Sequence, residues 1–416
     1  MARKGCRMKF EEKLNRIRYN EKRVLAGLFL VILFSLTAVN AVEFLLGNEE
    51  DGRRLGLERL GTVEDTAINA WGAVQCILSK RVAYGNTVYE DVTLLDNGYA
   101  TMADQAESIE AAKEGSARAY ALAREIGADF LYVQAPEKEY RKEDLPEGVY
   151  SFAPDKYEAM IAYLKESGIP YLDTREILLR EAMARAGTEA DAALSEGGSA
   201  DEEIPDELWY DYFYHTDHHW NTRAAFTVYG AIARELENLG YPMSVAEALD
   251  ESNYIQRNYE DVFLGTQGRM TGRYYAGLDD YELWLPEFET DLSMTVPSSG
   301  LYREGSFEDA FVFYENLDGY SFDHYAYYAY LNRDEDHIIL ENRLITDGPR
   351  VVIIRDSEAV PVSVFLSLCC SRIDVLDLRY MSGDEDVEGL IRSLQPDIFL
   401  YIFGTGYLGN ENAMIF

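Results

Sequence analysis

The sequence predicts an α/β fold built on a parallel sheet with helices on both faces. Two stretches of the chain alternate helical segments with short apolar strands, the spacing expected of crossover units. The strands are near-continuous apolar runs, as in a sheet buried on both faces. Glycines stand where two of the helices stop.

The first stretch begins near residue 106. SIEAAKEGSARAYALAREIG reads as a helix ending at Gly127, and DFLYVQAP as a strand ending at Pro136. PDKYEAMIAYLKESG is a second helix stopped by Gly168, and IPYLDT a second strand. Upstream, Thr87 to Leu95 reads as a strand-rich patch closed by the turn Asp96-Asn97-Gly98. Residues 186–207 are acidic, contain Gly and Ser and lack apolar periodicity, which predicts a surface insertion. A helix follows from about Thr222 to Leu239, with Phe226, Tyr229, Ala233 and Leu236 on one stripe and Gly240 at C′. Residues 241–320 carry no clear pattern and fit a lid, an insertion or unresolved strands. The alternation then resumes: RVVIIRD as strand, EAVPVSVFLSLCC as helix with Pro361 in its first turn, RIDVLDL as strand, DEDVEGLIRSL as helix and DIFLYIFG as strand.

Charge divides the chain. Residues 1–23 hold nine Lys/Arg against three acids, whereas positions 24–416 hold 29 basic and 71 acidic side chains, a net of −42. So acidic a body repels phosphate backbones and excludes nucleic acid as a partner. Between the two regimes, residues 24–42 are nineteen positions without a charged side chain. At about 1.5 Å rise per residue, this segment just spans a bilayer core of about 30 Å. The basic flank then sets the amino terminus in the cytoplasm and the acidic body outside. Val39-Asn40-Ala41 also fits a signal-peptide cleavage site, which would secrete the body instead. The organisation expected is a basic tail (1–23), a signal-anchor (24–42), a membrane-proximal linker (43–84) and one extracytoplasmic domain (85–416) with insertions at 186–207 and 241–320. Cys6, Cys76, Cys369 and Cys370 make no disulfide framework or metal pattern, and the last two sit in an apolar run expected to be core.

Three of the chain's five histidines fall within HTDHHW, residues 215–220. In an extended segment residues i and i+2 point the same way, so the Asp217 carboxylate can reach the His219 ring while His218 faces elsewhere. Ser357 follows the strand RVVIIRD directly and precedes a helix, which places its hydroxyl at the carboxyl edge of the sheet beside free helix-start amides. A hydroxyl needs a base, and the base an orienting group. His219 and Asp217 are the candidates, with Trp220 as a wall that lowers the local dielectric. Helix N-capping explains Ser357 or Asp217 taken singly, and His215, Asp217 and His219 are also the obvious ligands of a metal-dependent hydrolase. The run YSFDHYAYYAY, residues 320–330, fits core packing or a sugar-stacking platform. Lys138 fits an anionic substrate contact or a cap on the turn after its strand.

YHTDHHWNTRAAFTVYGAIARELENLG resembles the Asp-x-His-Trp signature of the DHHW family and the related alginate O-acetylation proteins. YVQAPEKEY followed by DLPEGV, FLGTQG near 263, VVIIRDSEAV and VLDLRY match in the same order, so the resemblance covers roughly residues 85–416. It implies a flavodoxin-like, SGNH-hydrolase-like sheet in circularly permuted motif order, since the Asp-His pair precedes the serine. It further implies Ser357 as nucleophile, His219 as general base and Asp217 as its orienter, without a cofactor or metal. The activity implied is O-acetylation or deacetylation of a cell-surface or exported polysaccharide, with a multi-spanning membrane acyltransferase as acyl supplier. Gly265 and Asn412 are the positions assigned to the oxyanion site, with Lys138 and Trp220 for substrate binding. Glu358 departs from the pattern after the serine, and a carboxylate beside a developing oxyanion is repelled. Either it points into solvent, or the chain is an impaired scaffold or glycan-binding protein of the same fold.

Overall fold

Residues 129–135 send alternate side chains to opposite faces of a sheet, and both faces are apolar. Phe130 and Tyr132 enter one core and Leu131 and Val133 the other. That double burial is why the strand reads as an unbroken apolar run. The computed structural model describes Gly27, Val31 and residues 58–84, 91–139, 141–186, 206–243, 246–383 and 385–416. It divides into two units, Met1–Ala70 and Trp71–Phe416. Apart from Gly27 and Val31, which are helical, the apolar segment 24–42 lies outside the described residues, as does most of the insertion at 186–207. Among the described residues, no helix is long and apolar enough to cross a membrane.

The longer helices are α1 (Glu58–Ile77), α2 (Glu110–Ile126), α3 (Ala153–Ser167), α4 (Thr174–Ala186), α5 (Thr222–Asn238), α6 (Ala359–Leu366) and α7 (Val387–Leu394). Strands β1 (Val82–Tyr84), β2 (Asp91–Leu94) and β3 (Ala100–Thr101) form a small antiparallel sheet whose turn closes at Gly98, as the Asp-Asn-Gly signal predicts. The strands β4 (Asp129–Ala135), β5 (Tyr171–Asp173), β6 (Tyr254–Phe263), β7 (Asp279–Pro286), β8 (Leu292–Val296), β9 (Leu301–Gly305), β10 (His337–Asn342), β11 (Arg350–Arg355), β12 (Arg372–Leu376) and β13 (Ile398–Gly404) follow. The main sheet has the order β5-β4-β13-β11-β12-β10-β8-β9. Its first five members are parallel, and β10, β8 and β9 continue it antiparallel. The unpatterned stretch 241–320 is therefore the β6–β7 hairpin plus an extension of the sheet rather than a lid.

Taken from β11, the parallel strands run β11, β12, β13, β4, β5. In space they lie β12-β11-β13-β4-β5, the flavodoxin-like order 2-1-3-4-5 with the chain opened at a different point. The permuted order expected from the motifs is thus present in the topology. Helices α2, α3 and α7 cover one face of the sheet, and α4, α5 and α6 the other. The predicted α5 stripe is buried as expected, and Phe226 meets Phe365 of α6 edge-on with ring centroids 5.3 Å apart. Each fully buried apolar side chain of this kind stabilises the fold by about 1.5–3 kcal/mol. Cys369 and Cys370 are buried, as expected of core residues.

Candidate active site

The HTDHHW segment is an excursion closed at its base by the bridge Phe213–Trp220 and the bond from Asn221 N–H to Tyr212 O (2.8 Å). It is pinned from several sides. The Asp279 carboxylate accepts from His215 N (2.6 Å), Thr216 N (2.8 Å) and Thr216 Oγ1 (2.6 Å). Buried Lys138 donates to Ala100 O (2.8 Å), Tyr214 O (2.7 Å) and Asp217 O. Gly265 packs so close that a Cβ there would lie 2.3 Å from Asp217 Cβ. The excursion therefore holds one shape.

Within it, Asp217 Oδ1 accepts from the backbone N–H of His219 (3.0 Å) and meets His219 Nδ1 at 2.5 Å. The i to i+2 contact expected of an extended segment is thus made by an Asx-type turn. His219 Nε2 lies 2.7 Å from Ser357 Oγ, so Asp217, His219 and Ser357 form one continuous chain of hydrogen bonds. All three are enclosed, with Asp217 0 %, His219 2 % and Ser357 4 % exposed. Neither capping alternative holds: the N-cap of α5 is Asn221, whose side chain accepts from Ala224 N, and Glu358 occupies the N-cap of α6.

Ser357 stands just past β11, at the point where β11 leads on to β12 while its other neighbour, β13, borders β4. This is the switch point at which open α/β sheets bind ligands. Asp356 laces this edge together, accepting from Glu358 N (3.0 Å) and from Gly404 N at the end of β13 (2.7 Å). Tyr327 donates to Ser357 O (2.8 Å) and stacks on the His219 ring, with centroids 3.8 Å apart and planes 10° from parallel. Tyr325 donates to Asp217 Oδ2, which also accepts from Thr266 N (2.6 Å).

Burial alone would raise the Asp217 carboxyl. The imidazoles of His219 and His218 and the hydrogen bonds from His219 and Tyr325 outweigh it and hold the group well below the usual range. Glu358 goes the other way: burial, then the nearby carboxyls of Asp356 and Glu137, push it well above the usual range. It is 7 % exposed and so does not point into solvent. Burial likewise pushes Asp356 up to about 6, Glu137 to about 8 and Glu139 to about 7. Burial and the adjacent His219 lower His218 to about 3. Its ring does not face elsewhere but lies 3.8 Å from that of His219.

Three of the four expected ligand-binding residues take other roles. Gly265 N–H donates to Thr216 Oγ1 (2.8 Å), so it is not an oxyanion donor. Asn412 is exposed on a helical turn, Glu411–Met414, that packs against α2, away from the buried triad. Lys138 donates to three carbonyls and caps turns instead of meeting substrate. Trp220 does wall the site, and its Nε1 ties Glu358 O (3.0 Å). The expected metal triplet does not form: His215 is exposed against Tyr99, and among the described residues the set whose ligand atoms converge within 4.8 Å is Asp217, His218 and His219. Its carboxylate and His219 nitrogens are those already joined in the Asp-His-Ser chain. A second Asp-His pair, Asp374 with His337 Nε2 (2.8 Å), joins β12 to β10, and Arg372 shares its carboxylate.

The Tyr-rich run is buried at Tyr325, Tyr327 and Tyr330, which rules out a sugar platform at these rings. Sequence reasoning missed that two of these tyrosines touch the triad, and also missed Thr266, Asp279 and Asp356. The density of hydroxyl-bearing rings was the one signal available.

By sequence, no protein-family model and no curated protein matches the chain. By structure, it is similar to a DHHW family protein from Eubacterium siraeum (TM-score 0.55, 16 % identity, 80 % of this chain and 96 % of that one). It is also similar to PatB1 of Bacillus cereus (TM-score 0.57, 16 % identity, 78 % and 98 %) and to the same protein with a sulfonyl adduct (TM-score 0.55, 15 % identity, 77 % and 98 %). At such identities the likeness is one of architecture: the chain has the mixed α/β fold of these proteins.

Proposed function

We propose that the chain is an SGNH-like serine O-acyltransferase or esterase, anchored by residues 24–42 with its acidic body outside the membrane and acting on a cell-surface or exported polysaccharide. The observation that carries the reading is the enclosed chain of hydrogen bonds from Asp217 through His219 to Ser357. The Ser357 hydroxyl attacks an acyl carbonyl while His219 Nε2 takes its proton, and Asp217 stabilises the resulting imidazolium. The tetrahedral oxyanion needs donors. Glu358 N–H and Gly404 N–H are engaged by Asp356, whereas Ser357 N–H has no acceptor among the described residues and lies at the helix start. Collapse expels the leaving group with the proton from His219. The acyl-serine is then attacked by a sugar hydroxyl or by water, whose proton passes to His219, and Ser357 is regenerated.

Glu358 does not block this chemistry. Burial and the carboxyls of Asp356 and Glu137 push it towards the neutral acid, which weakens its repulsion of the oxyanion. Bacillus cereus PatB1 has been captured with a sulfonyl adduct, and sulfonyl fluorides are reagents for activated serine hydroxyls. The apolar segment 24–42 and its basic flank support the anchor, and a membrane-bound acyl supplier fits that location. The test uses the full chain in detergent with a chromogenic acetyl ester. Wild type should turn over the ester and be labelled by a sulfonyl fluoride, and Ser357→Ala should do neither. Equal ester rates in both would favour the scaffold reading.

A further inference from the structure

Resting on the serine acyl-transfer reading, we infer that Tyr325 and Tyr327 are positioning residues of the site, one fixing the carboxylate of Asp217 and the other clamping base and nucleophile together. They are delivered by one short segment: Tyr325 caps the 3₁₀ turn Ala326–Ala329, and Tyr327 lies within it. Between them they touch every member of the triad.

Tyr325 hydroxyl donates to Asp217 Oδ2, leaving Oδ1 to the His219 ring and amide. The same hydroxyl is 2.9 Å from Thr266 Oγ1, and Thr266 N–H donates to Asp217 Oδ2 (2.6 Å). With both oxygens held, the carboxylate cannot rotate, and His219 Nδ1 keeps its hydrogen on the Asp217 side. That sets the tautomer whose Nε2 is free to accept from Ser357.

Tyr327 acts on the other two members. Its ring face lies parallel to the imidazole at 3.8 Å and restrains rotation about the His219 side-chain bonds. An aromatic face also attracts a cation, so the stack favours the imidazolium formed when the proton arrives. Its hydroxyl bonds the Ser357 carbonyl, tethering the nucleophile loop to the ring that carries the base. A tyrosine used only for packing would need neither contact.

The test uses three variants of the full chain, with rates expressed per active site titrated by a sulfonyl fluoride, so that loss of folded protein does not register. Tyr327→Phe keeps the stack and should stay within about tenfold of wild-type kcat, the scale of one hydrogen bond. Tyr327→Leu removes the ring and should lower kcat about 10²-fold with KM nearly unchanged, the scale of a misplaced catalytic group. Tyr325→Phe should lower kcat to between these values. The downfield proton NMR signal of the His219 Nδ1–H bond to Asp217 should shift or broaden in Tyr325→Phe and Tyr327→Leu. Wild-type kcat per titrated site in Tyr327→Leu, or equal loss in Phe and Leu, would overturn the clamp. An unchanged signal in Tyr325→Phe would overturn the carboxylate role. If wild type turns over no ester, the acyl-transfer reading fails, and the NMR signal still decides the positioning claim.

Discussion

Asp217 and Glu358 are two buried carboxyls near the same Ser-His pair, and their surroundings push them in opposite directions. Asp217 receives hydrogen bonds from His219 N, His219 Nδ1, Thr266 N and Tyr325 Oη, with two imidazoles close by, and stays ionised despite complete burial. Among the described residues the Glu358 carboxyl has a single long contact, from Trp220 N (3.4 Å); it lies near Asp356 and Glu137 and is pushed towards the neutral acid. Burial acts alike on both, so donors and neighbouring charges decide the outcome. On the acyl-transfer reading, one group can therefore stabilise an imidazolium while the other carries less charge towards the oxyanion.

The strongest way to break the contrast is to remove the charge on Asp217. Asp217→Asn keeps the size of the side chain but presents an amide to His219 Nδ1 and favours the wrong tautomer. We expect kcat on an acetyl ester to fall about 10⁴-fold, measured at steady state on protein whose circular dichroism matches wild type. Next in size is a change that leaves both carboxyls in place and moves one. In Gly265→Ala the new methyl would fall 2.3 Å from Asp217 Cβ and 2.5 Å from Thr216 O. The excursion must shift, which should cost about 10²-fold in kcat and about 1–3 kcal/mol of stability by urea denaturation. A wild-type rate would show that the close packing is not what holds Asp217.

The same contrast shows which parts of the molecule were legible beforehand. Strands β4, β11 and β13 were readable because burial on both faces leaves them no polar alternation, and α5 because its stripe repeats at the helical period. The triad was readable because a lone Asp-x-His and a strand-Ser-helix junction are local patterns. β10 was not: its burial alternates along HIILEN, and its pairing with β12 and β8 depends on residues 30 or more positions away. α4 hid in TREILLREAMARA, where the apolar face is weak. Nor could the sequence tell that Lys138 would be enclosed by carbonyls, or that Glu358 would be pushed towards the neutral acid. Charge state belongs to the surroundings in space, and tyrosines in a run look alike whether they pack, stack or donate.

A readout of stability rather than rate separates the two kinds of carboxyl by pH. Groups with raised native pKa values, Glu137 at about 8 and Glu139 at about 7, bind protons more tightly folded than unfolded. Their contribution is fully present below about pH 4.3, the unfolded glutamate value, and is lost as pH rises through the native values. Asp217 is lowered, so its contribution is present above about pH 3.9 and lost only as pH falls below it. The fold should therefore be more stable at pH 5 than at pH 8, on the order of 1 kcal/mol for each unit by which a native pKa is raised. Urea midpoints at the two pH values check this, and a higher midpoint at pH 8 would contradict it. Glu137→Gln should flatten the difference.

The smallest effect is the sharpest test of the contrast. Glu358→Gln replaces a neutral acid with a neutral amide of the same shape, and the amide carbonyl can still accept from Trp220 N. If Glu358 is protonated in the working enzyme, the substitution changes no charge near Ser357, and kcat at pH 7 should stay within about threefold, well under the tenfold step that 1.4 kcal/mol represents. Were the side chain ionised instead, removing its charge would relieve repulsion of the oxyanion and raise kcat clearly. Raising the pH tells the same story from the other side. As Glu358 begins to ionise, wild type should lose activity that Glu358→Gln retains, because only the wild-type site gains a negative charge next to the reacting carbonyl. Superimposable pH–rate profiles on the alkaline side would contradict a charge effect of Glu358 on the reacting carbonyl.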